Sequence, residues 1–278
     1  MDFILHANGV CRVNPELARL IVNKYILVSP KIIIIVANWV GVPLIFVYVI
    51  SMFAIPAYQA QCDWAQIQNV WDRWASLNVG MLAFISSLIA FNISRHNADQ
   101  QRKREFIAAR SFLPESLSEL TDYCRASMAV FAKAWPRVND PSDTCDTPLD
   151  SSIPELPGGY RNVFRECIKL ADPPVADHLS RILTLLQIHH SRMESLFEGF
   201  RSKSTVVTPH TIMSHFFDIS QVHALINKVF NFARGLEPLD TKDLVWDDYY
   251  TPFFVNKIMI EQYDGLQGFI EEAINRGD

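Results

Sequence analysis

The sequence predicts an all-α protein, in which an N-terminal two-helix transmembrane hairpin precedes a cytoplasmic helical domain. Two stretches in the first third of the chain carry no Asp, Glu, Lys or Arg, one between Lys31 and Asp63 and the other between Arg73 and Arg95. A helix needs about 20 apolar residues to cross a bilayer, so both stretches are long enough. The rest of the chain shows apolar residues at helical spacing, without a strand series or an internal repeat.

The first span is predicted over about residues 32–58 and the second over about residues 74–93. They divide the chain into an N-terminal cytoplasmic segment (1–30), the hairpin (31–94) and the cytoplasmic domain (95–278). A signal peptide is a poor alternative, because its apolar core is shorter and lies nearer the chain start. The remaining alternative is a pair of buried helices in a soluble protein, although such helices seldom stay uncharged over this length.

Basic residues predict the orientation of the hairpin. Lys and Arg precede the first span and follow the second, whereas the connecting loop carries only Arg73. Because such residues stay on the cytoplasmic side, we expect both termini in the cytoplasm. The cluster Arg102, Lys103 and Arg104 directly follows the second span and is expected to bind anionic lipid headgroups. Contact with nucleic acid is the alternative, but the chain from Ser94 onward carries 20 Lys and Arg against 26 Asp and Glu.

A stripe of small residues along the second span predicts a helix-packing seam. Membrane helices associate where small side chains let their backbones approach closely. The stripe fits packing within one hairpin, and it also fits self-association of hairpins into a homo-oligomer that lines a leak. Asn78, Ser86 and Asn92 add polar atoms that prefer a helix partner or water to lipid. The seam residues are Ser76, Gly80, Ala83, Ser87 and Ala90 in the second span, with Ala37 and Gly41 in the first.

The cytoplasmic domain is predicted to consist of helices around one long loop. The second span is expected to continue through residues 98–110 as one rod that ends near Pro114, which suits the first turn of the next helix. Residues 136–159 are rich in Pro, Asp and Ser and have no period, which predicts a loop with partial disorder. Further helices are predicted over residues 115–134, 160–170, 178–200, from Pro209 to a stop at Gly235, and over about 251–275.

No catalytic constellation is recognisable, so we expect no enzyme activity, no cofactor and no small-molecule substrate. The chain has no glycine-rich phosphate loop, nucleophile elbow or kinase motif set. The five cysteines form no CxxC pair, which favours reduced and mostly buried thiols. His190 and Glu194 lie four residues apart and would share a helix face, as metal ligands on a helix often do. A metal site there is the alternative to ordinary histidines, and no metal is the expectation.

The hairpin, the basic segment and the sequence REFIAARSFLPESLSELTDYC at Arg104–Cys124 resemble the membrane effectors of bacterial antiphage systems. The resemblance is to the two-transmembrane-helix effector encoded beside a retron reverse transcriptase, and it covers about Val28–Trp135. It implies a toxin of the bacterial inner membrane that is kept silent by the reverse transcriptase with its RNA–DNA hybrid (msDNA). Once released, such an effector permeabilises or depolarises the membrane and causes abortive infection. A membrane-tethered adaptor or sensor, whose helical domain binds a cytoplasmic partner, remains the alternative.

Overall fold

The computed structural model describes residues 30–59, 61, 63–143, 145, 147–202 and 206–277. Within its first helix, side chains are described at residue 35 and from residue 38 onward. The predicted N-terminal segment, residues 1–30, therefore lies outside the described part except for the backbone of Pro30. Helices make up the regular structure of the described residues, which contain no strand, and this confirms the all-α prediction.

Contacts divide the chain into two compact units, Met1–Ala98 and Asp99–Asp278. One long helix, α4, contributes residues to both. In chain order the elements are α1 (Pro30–Val49), a π-helical turn (Ile50–Ala54), α2 (Ile55–Gln59), α3 (Trp64–Arg73), α4 (Ala75–Arg110), α5 (Leu113–Asn139), α6 (Tyr160–Leu170), α7 (Pro173–Gly199), α8 (Pro209–Ala233), α9 (Trp246–Val255), a 3-10 turn (Ile260–Gln262) and α10 (Leu266–Arg276).

The first unit contains the two apolar segments. Two helices are long and apolar enough to cross a membrane, one over Asn38–Gln59 and one that begins at Ala75. Only 17% and 6% of their most apolar windows are buried, whereas the core helix of a soluble protein would be mostly buried. The connection between them differs from a simple loop, because it contains α3. Asp63 caps this helix by accepting a hydrogen bond from the Ala65 amide at 3.1 Å, a preferred role for Asp.

The second unit is built around α8, which is buried on most of its surface. Helices α5, α7, α9 and α10 all pack against it, while α6 packs against α5 and α7. Its start and end agree with the sequence prediction. Pro209 lies in its first turn behind a Thr208 cap, and Gly235 follows its end with φ 75°. The Gly235 and Leu236 amides donate to the Phe232 and Asn231 carbonyls, so that the left-handed glycine terminates the helix.

Two predicted helix boundaries shift in the structure. Helix α5 continues past Pro136 to Asn139, so the loop predicted over 136–159 begins later. Only three helical residues follow Pro136, so the hydrogen bond that its missing N–H removes lies in the last turn. Helix α7 starts at Pro173, five residues before the predicted start, because proline suits the first helical position. The predicted helix over 160–170 and the rod through residues 98–110 are observed as α6 and α4.

The single helix predicted over about 251–275 is wrong. The structure has α9, a 3-10 turn and α10 instead, and α9 begins at Trp246, about five residues before the predicted start. Helix α9 ends where Lys257 adopts φ 57°. The Lys257 and Ile258 amides donate to the Phe254 and Phe253 carbonyls, in the same pattern as at the end of α8. A lysine in the sequence does not predict this left-handed conformation, whereas a glycine would.

Arg137 anchors the described part of the long loop. Its guanidinium pairs with Asp143 at 2.8 Å and donates to the Thr147 carbonyl at 2.9 Å and to the Thr147 hydroxyl at 2.8 Å. The ring of Phe200 lies 5.0 Å from the same guanidinium. Leu149 is buried against the core. These contacts give the loop a defined path without regular secondary structure.

Candidate functional site

Helix α1, the π-helical turn, α2 and α4 form the candidate site, which we call the helix pair. On each helix, the less exposed residues recur at intervals of three and four, which places them on one face. In α1 and the π-helical turn they are Asn38, Gly41, Ile45, Tyr48 and Met52, and in α4 they are Asn78, Met81, Ile85, Leu88 and Asn92. Most of the other apolar side chains of the pair are exposed, including Trp39, Phe46, Val79 and Leu82.

Polar side chains join the two helices at two levels. The amides of Asn38 and Asn92 exchange two hydrogen bonds, each of 3.2 Å. The Tyr48 hydroxyl donates to the Asn78 side-chain oxygen at 2.8 Å. Asn92 also donates to the Leu88 carbonyl of its own helix at 2.8 Å. The pairings 38–92 and 48–78 show that the helices run antiparallel, and the two amides singled out in the second span both have partners in the first.

A third bond joins the connecting helix α3 to the first apolar segment. Pro56 has no amide hydrogen, so it cannot donate to the Met52 carbonyl four residues earlier. The indole Nε1–H of Trp71 donates to that carbonyl instead, at 2.8 Å. The Trp71 ring also packs edge-on against Phe53, with centroids 4.9 Å apart. The irregular π-helical turn, Ile50–Ala54, ends two residues before this proline, and Trp71 of α3 contacts it through this hydrogen bond and the Phe53 ring.

The predicted seam residues lie on two different faces. A methyl group added to Gly41 would lie 3.3 Å from Cδ2 of Leu88, so Gly41 allows close approach within the pair. Around Gly80, by contrast, a methyl group would meet no described atom within 4 Å. Ser76, Gly80, Ala83, Ser87 and Ala90 are all exposed, on a face of α4 away from α1. The Ser86 and Ser87 hydroxyls donate to the Leu82 and Ala83 carbonyls of their own helix. The side chain of Ala37 lies outside the described residues.

The three basic residues after the second apolar segment differ in their contacts. Arg102 donates from Nε to the Leu170 carbonyl at 3.0 Å and from Nη2 to the Ala171 carbonyl at 2.8 Å. It thereby caps the end of α6, where unpaired carbonyls favour a cation. Lys103 and Arg104 are exposed, so they remain the residues best suited to bind lipid headgroups.

Comparisons with known proteins do not identify the chain. No protein-family model matches it. No curated protein and no solved structure matches it either. The properties of the helix pair and of the second unit therefore rest on this chain's own residues.

The second unit carries an open groove between the end of α4 and α6. It encloses about 610 Å³, within the range of ligand and peptide sites. Phe112 at its edge is 62% exposed and offers an apolar surface to a bound partner. The groove is lined by Glu105, Ala108, Ala109, Phe112, Asn162, Val163, Glu166, Lys169 and Leu170.

The histidines are largely core residues. His189, His215 and His223 are buried, and each has one ring nitrogen without a hydrogen-bond partner among the residues that the structure describes. The Tyr123 hydroxyl lies 3.1 Å from Nδ1 of His189 and 3.2 Å from Nδ1 of His190. Burial lowers the pKa of His189 to about 3 and those of His215 and His223 to about 4. These rings are therefore neutral at physiological pH, which makes their burial tolerable.

The alternative metal site at His190 and Glu194 gains little support. Nε2 of His190 and Oε1 of Glu194 are 4.0 Å apart across one helical turn. No group of three or more His, Cys, Asp or Glu side chains among the described residues is arranged to hold a metal ion. Cys124 and Cys167 are buried free thiols, and burial raises the pKa of Cys167 to about 11. The Cys167 thiol is accordingly protonated at neutral pH and is a poor ligand or nucleophile.

Proposed function

We propose that this chain is the membrane effector of an antiphage retron system, silenced by a reverse transcriptase with its msDNA and active on the bacterial inner membrane. The observation that carries the membrane part is the exposure of the apolar side chains of the helix pair, because large apolar surfaces face lipid or a partner rather than water. The asparagines and Tyr48 of the pair bond to each other, and Ser86 and Ser87 bond to their own helix, as suits a lipid environment. The retron part rests on the resemblance of Arg104–Cys124 and its flanks.

The seam face of α4 supports self-association as the route to membrane damage. This face stays exposed when α1 and α4 pack together, so the small residues of the α4 seam do not contribute to packing within the pair. Small residues on a lipid-exposed face allow close contact with another helix. The active species is therefore proposed to be a homo-oligomer of helix pairs in the inner membrane, with both termini in the cytoplasm.

The experiment measures membrane potential with a voltage-sensitive dye in bacteria that produce the chain alone. We expect rapid depolarisation, and we expect Gly80→Leu to abolish it at equal membrane insertion. A methyl group at this position would meet no described atom within 4 Å, so the larger leucine side chain should leave the pair intact and block only the seam. Ile89→Phe is the matched control, because Ile89 is exposed and belongs to neither the pair face nor the seam. Depolarisation by an inserted Gly80→Leu chain would refute the role of the seam.

Co-production of a reverse transcriptase and msDNA encoded beside the gene tests the silencing. Suppression of depolarisation by that complex would support the retron assignment, and unchanged depolarisation would oppose it. The net negative charge of the second unit favours contact with the protein of the complex over its nucleic acid.

A membrane-tethered adaptor is the second candidate function, and the groove between α4 and α6 favours it. An intact membrane potential and normal growth would support this function. An unrelated anchor in place of residues up to Ser94 would then preserve activity. Phe112→Ser would weaken capture of the cytoplasmic partner, because Phe112 offers a large exposed apolar area at the groove.

A further inference from the structure

The contact face of the helix pair is more polar than packing alone requires. Three asparagines and a tyrosine occupy it, and each makes a hydrogen bond to the opposite helix. Asparagine is disfavoured in the hydrocarbon region of a bilayer, where such residues usually face a helix partner or water and often serve a function. Leucine or alanine at the same positions would pack two helices without that penalty.

The closed pair offers water no polar path among its described side chains. Its large lipid-facing side chains are apolar, and its amides and tyrosine hydroxyl are bonded inside. The hydroxyls of Ser86 and of the seam residue Ser87 are bonded to carbonyls of their own helix. A pair in this state is therefore a compact membrane anchor, and a leak needs polar groups to become available to water.

We propose that the bonds Asn38–Asn92 and Tyr48–Asn78 form a latch that holds the membrane segment silent. Activation opens the pair, and the freed amides then line a water-filled path between associated copies. This inference rests on the proposed membrane-effector function and adds the conformational step that controls it. Each latch bond favours the closed state modestly, by about threefold for an average side-chain hydrogen bond in a membrane protein. Such small contributions allow a partner to shift the population.

A reversible cross-link tests the latch directly. The full chain carrying Gly41→Cys and Leu88→Cys, which face each other across the pair and leave the latch residues intact, is reconstituted into vesicles of phosphatidylethanolamine and phosphatidylglycerol, and release of a trapped dye is recorded. A short thiol cross-linker with a cleavable disulfide, which joins the two positions, is expected to stop the release, and a reducing agent is expected to restore it. The chain without the engineered cysteines, treated with the same reagents, controls for the native thiols.

A single-atom change provides the second test. Tyr48→Phe removes the hydroxyl that bonds to Asn78 and leaves the ring in place, so we expect dye release to rise about threefold. Tyr58→Phe is the matched control, because Tyr58 is 88% exposed, and it should leave the release unchanged. A fully cross-linked chain that leaks at the uncross-linked rate would overturn the latch and leave the effector function standing. A wild-type chain that neither leaks in vesicles nor depolarises cells would overturn the proposed function itself.

Discussion

Acidification from pH 7 to pH 5 should strongly destabilise the second unit. His189, His215 and His223 have an ordinary pKa of 6.5, and burial lowers it to about 3, 4 and 4 in the folded chain. Below pH 6.5 the unfolded chain therefore binds protons that the folded chain excludes. Stability is complete above pH 6.5 and falls as the pH drops toward about 4. At pH 5 each histidine removes about 2 kcal/mol, or about 6 kcal/mol for the three together.

That loss is comparable with the total stability of a typical domain, about 5–15 kcal/mol, so the transition should be easy to detect. Urea unfolding of the full chain in detergent, followed by tryptophan fluorescence, measures it between pH 5 and pH 8. Trp135 reports on the second unit, because it is nearly buried and its ring centroid lies 5.4 Å from that of Tyr263. We expect the urea midpoint to fall steeply below pH 6.5.

His215→Phe isolates one of the three contributions. The ring of His215 stacks on Phe131 at 5.1 Å, and phenylalanine preserves this contact while removing the proton site. The variant should therefore lose about 2 kcal/mol less than the wild type between pH 7 and pH 5. His96→Gln, at an exposed position, is the control. If His215→Phe shows the same pH dependence as the wild type, the buried neutral rings do not govern acid stability.

Three further substitutions test the packing and helix ends of the second unit. Lys257→Gly should raise the free energy of unfolding by about 1 kcal/mol, because glycine adopts the left-handed conformation freely, and a lowered urea midpoint would contradict this. Phe131→Ala should remove about 3–5 kcal/mol, since the ring is fully buried against His189 and His215, and a loss below about 1 kcal/mol would count against that packing. Arg102→Gln should speed hydrogen exchange at the end of α6, while Lys103→Gln should not.

The existence of most helices was predictable, because apolar spacing and the length of an uncharged stretch are signals spread over many residues. Pro209 and Gly235 correctly predicted the start and the end of α8, because proline suits a first helical turn and glycine suits the position after a helix. The break after α9 was not predictable. Lys257 gives no local signal, and its left-handed conformation is supported by the burial of neighbouring residues in the folded core. The start of α9 was missed because Val245, the residue before it, is not a typical capping residue. Asp248 in the first turn accepts a hydrogen bond from the Val245 amide instead.

The candidate site was predictable in composition and only partly in geometry. The polarity of Asn78 and Asn92 correctly indicated a need for partners, but sequence spacing cannot say that Tyr48 and Asn38 supply them. The small residues formed the more conspicuous pattern. The face that packs within the pair is instead the one with asparagine and large apolar residues, apart from Gly41. The seam residues and the contact-face residues of α4 both recur at intervals of three and four. Spacing alone therefore cannot say which of the two faces packs against α1.

The bond between Trp71 and the Met52 carbonyl makes the acceptability of one residue depend on another far along the chain. A non-proline residue at position 56 could donate its own amide to that carbonyl, and the indole would then keep only its ring packing against Phe53. Loss of the indole while Pro56 remains would leave the carbonyl unpaired in an apolar setting. Evolutionary change at these sites is thus ordered: only after position 56 has lost its proline could position 71 lose the indole without leaving this carbonyl unpaired.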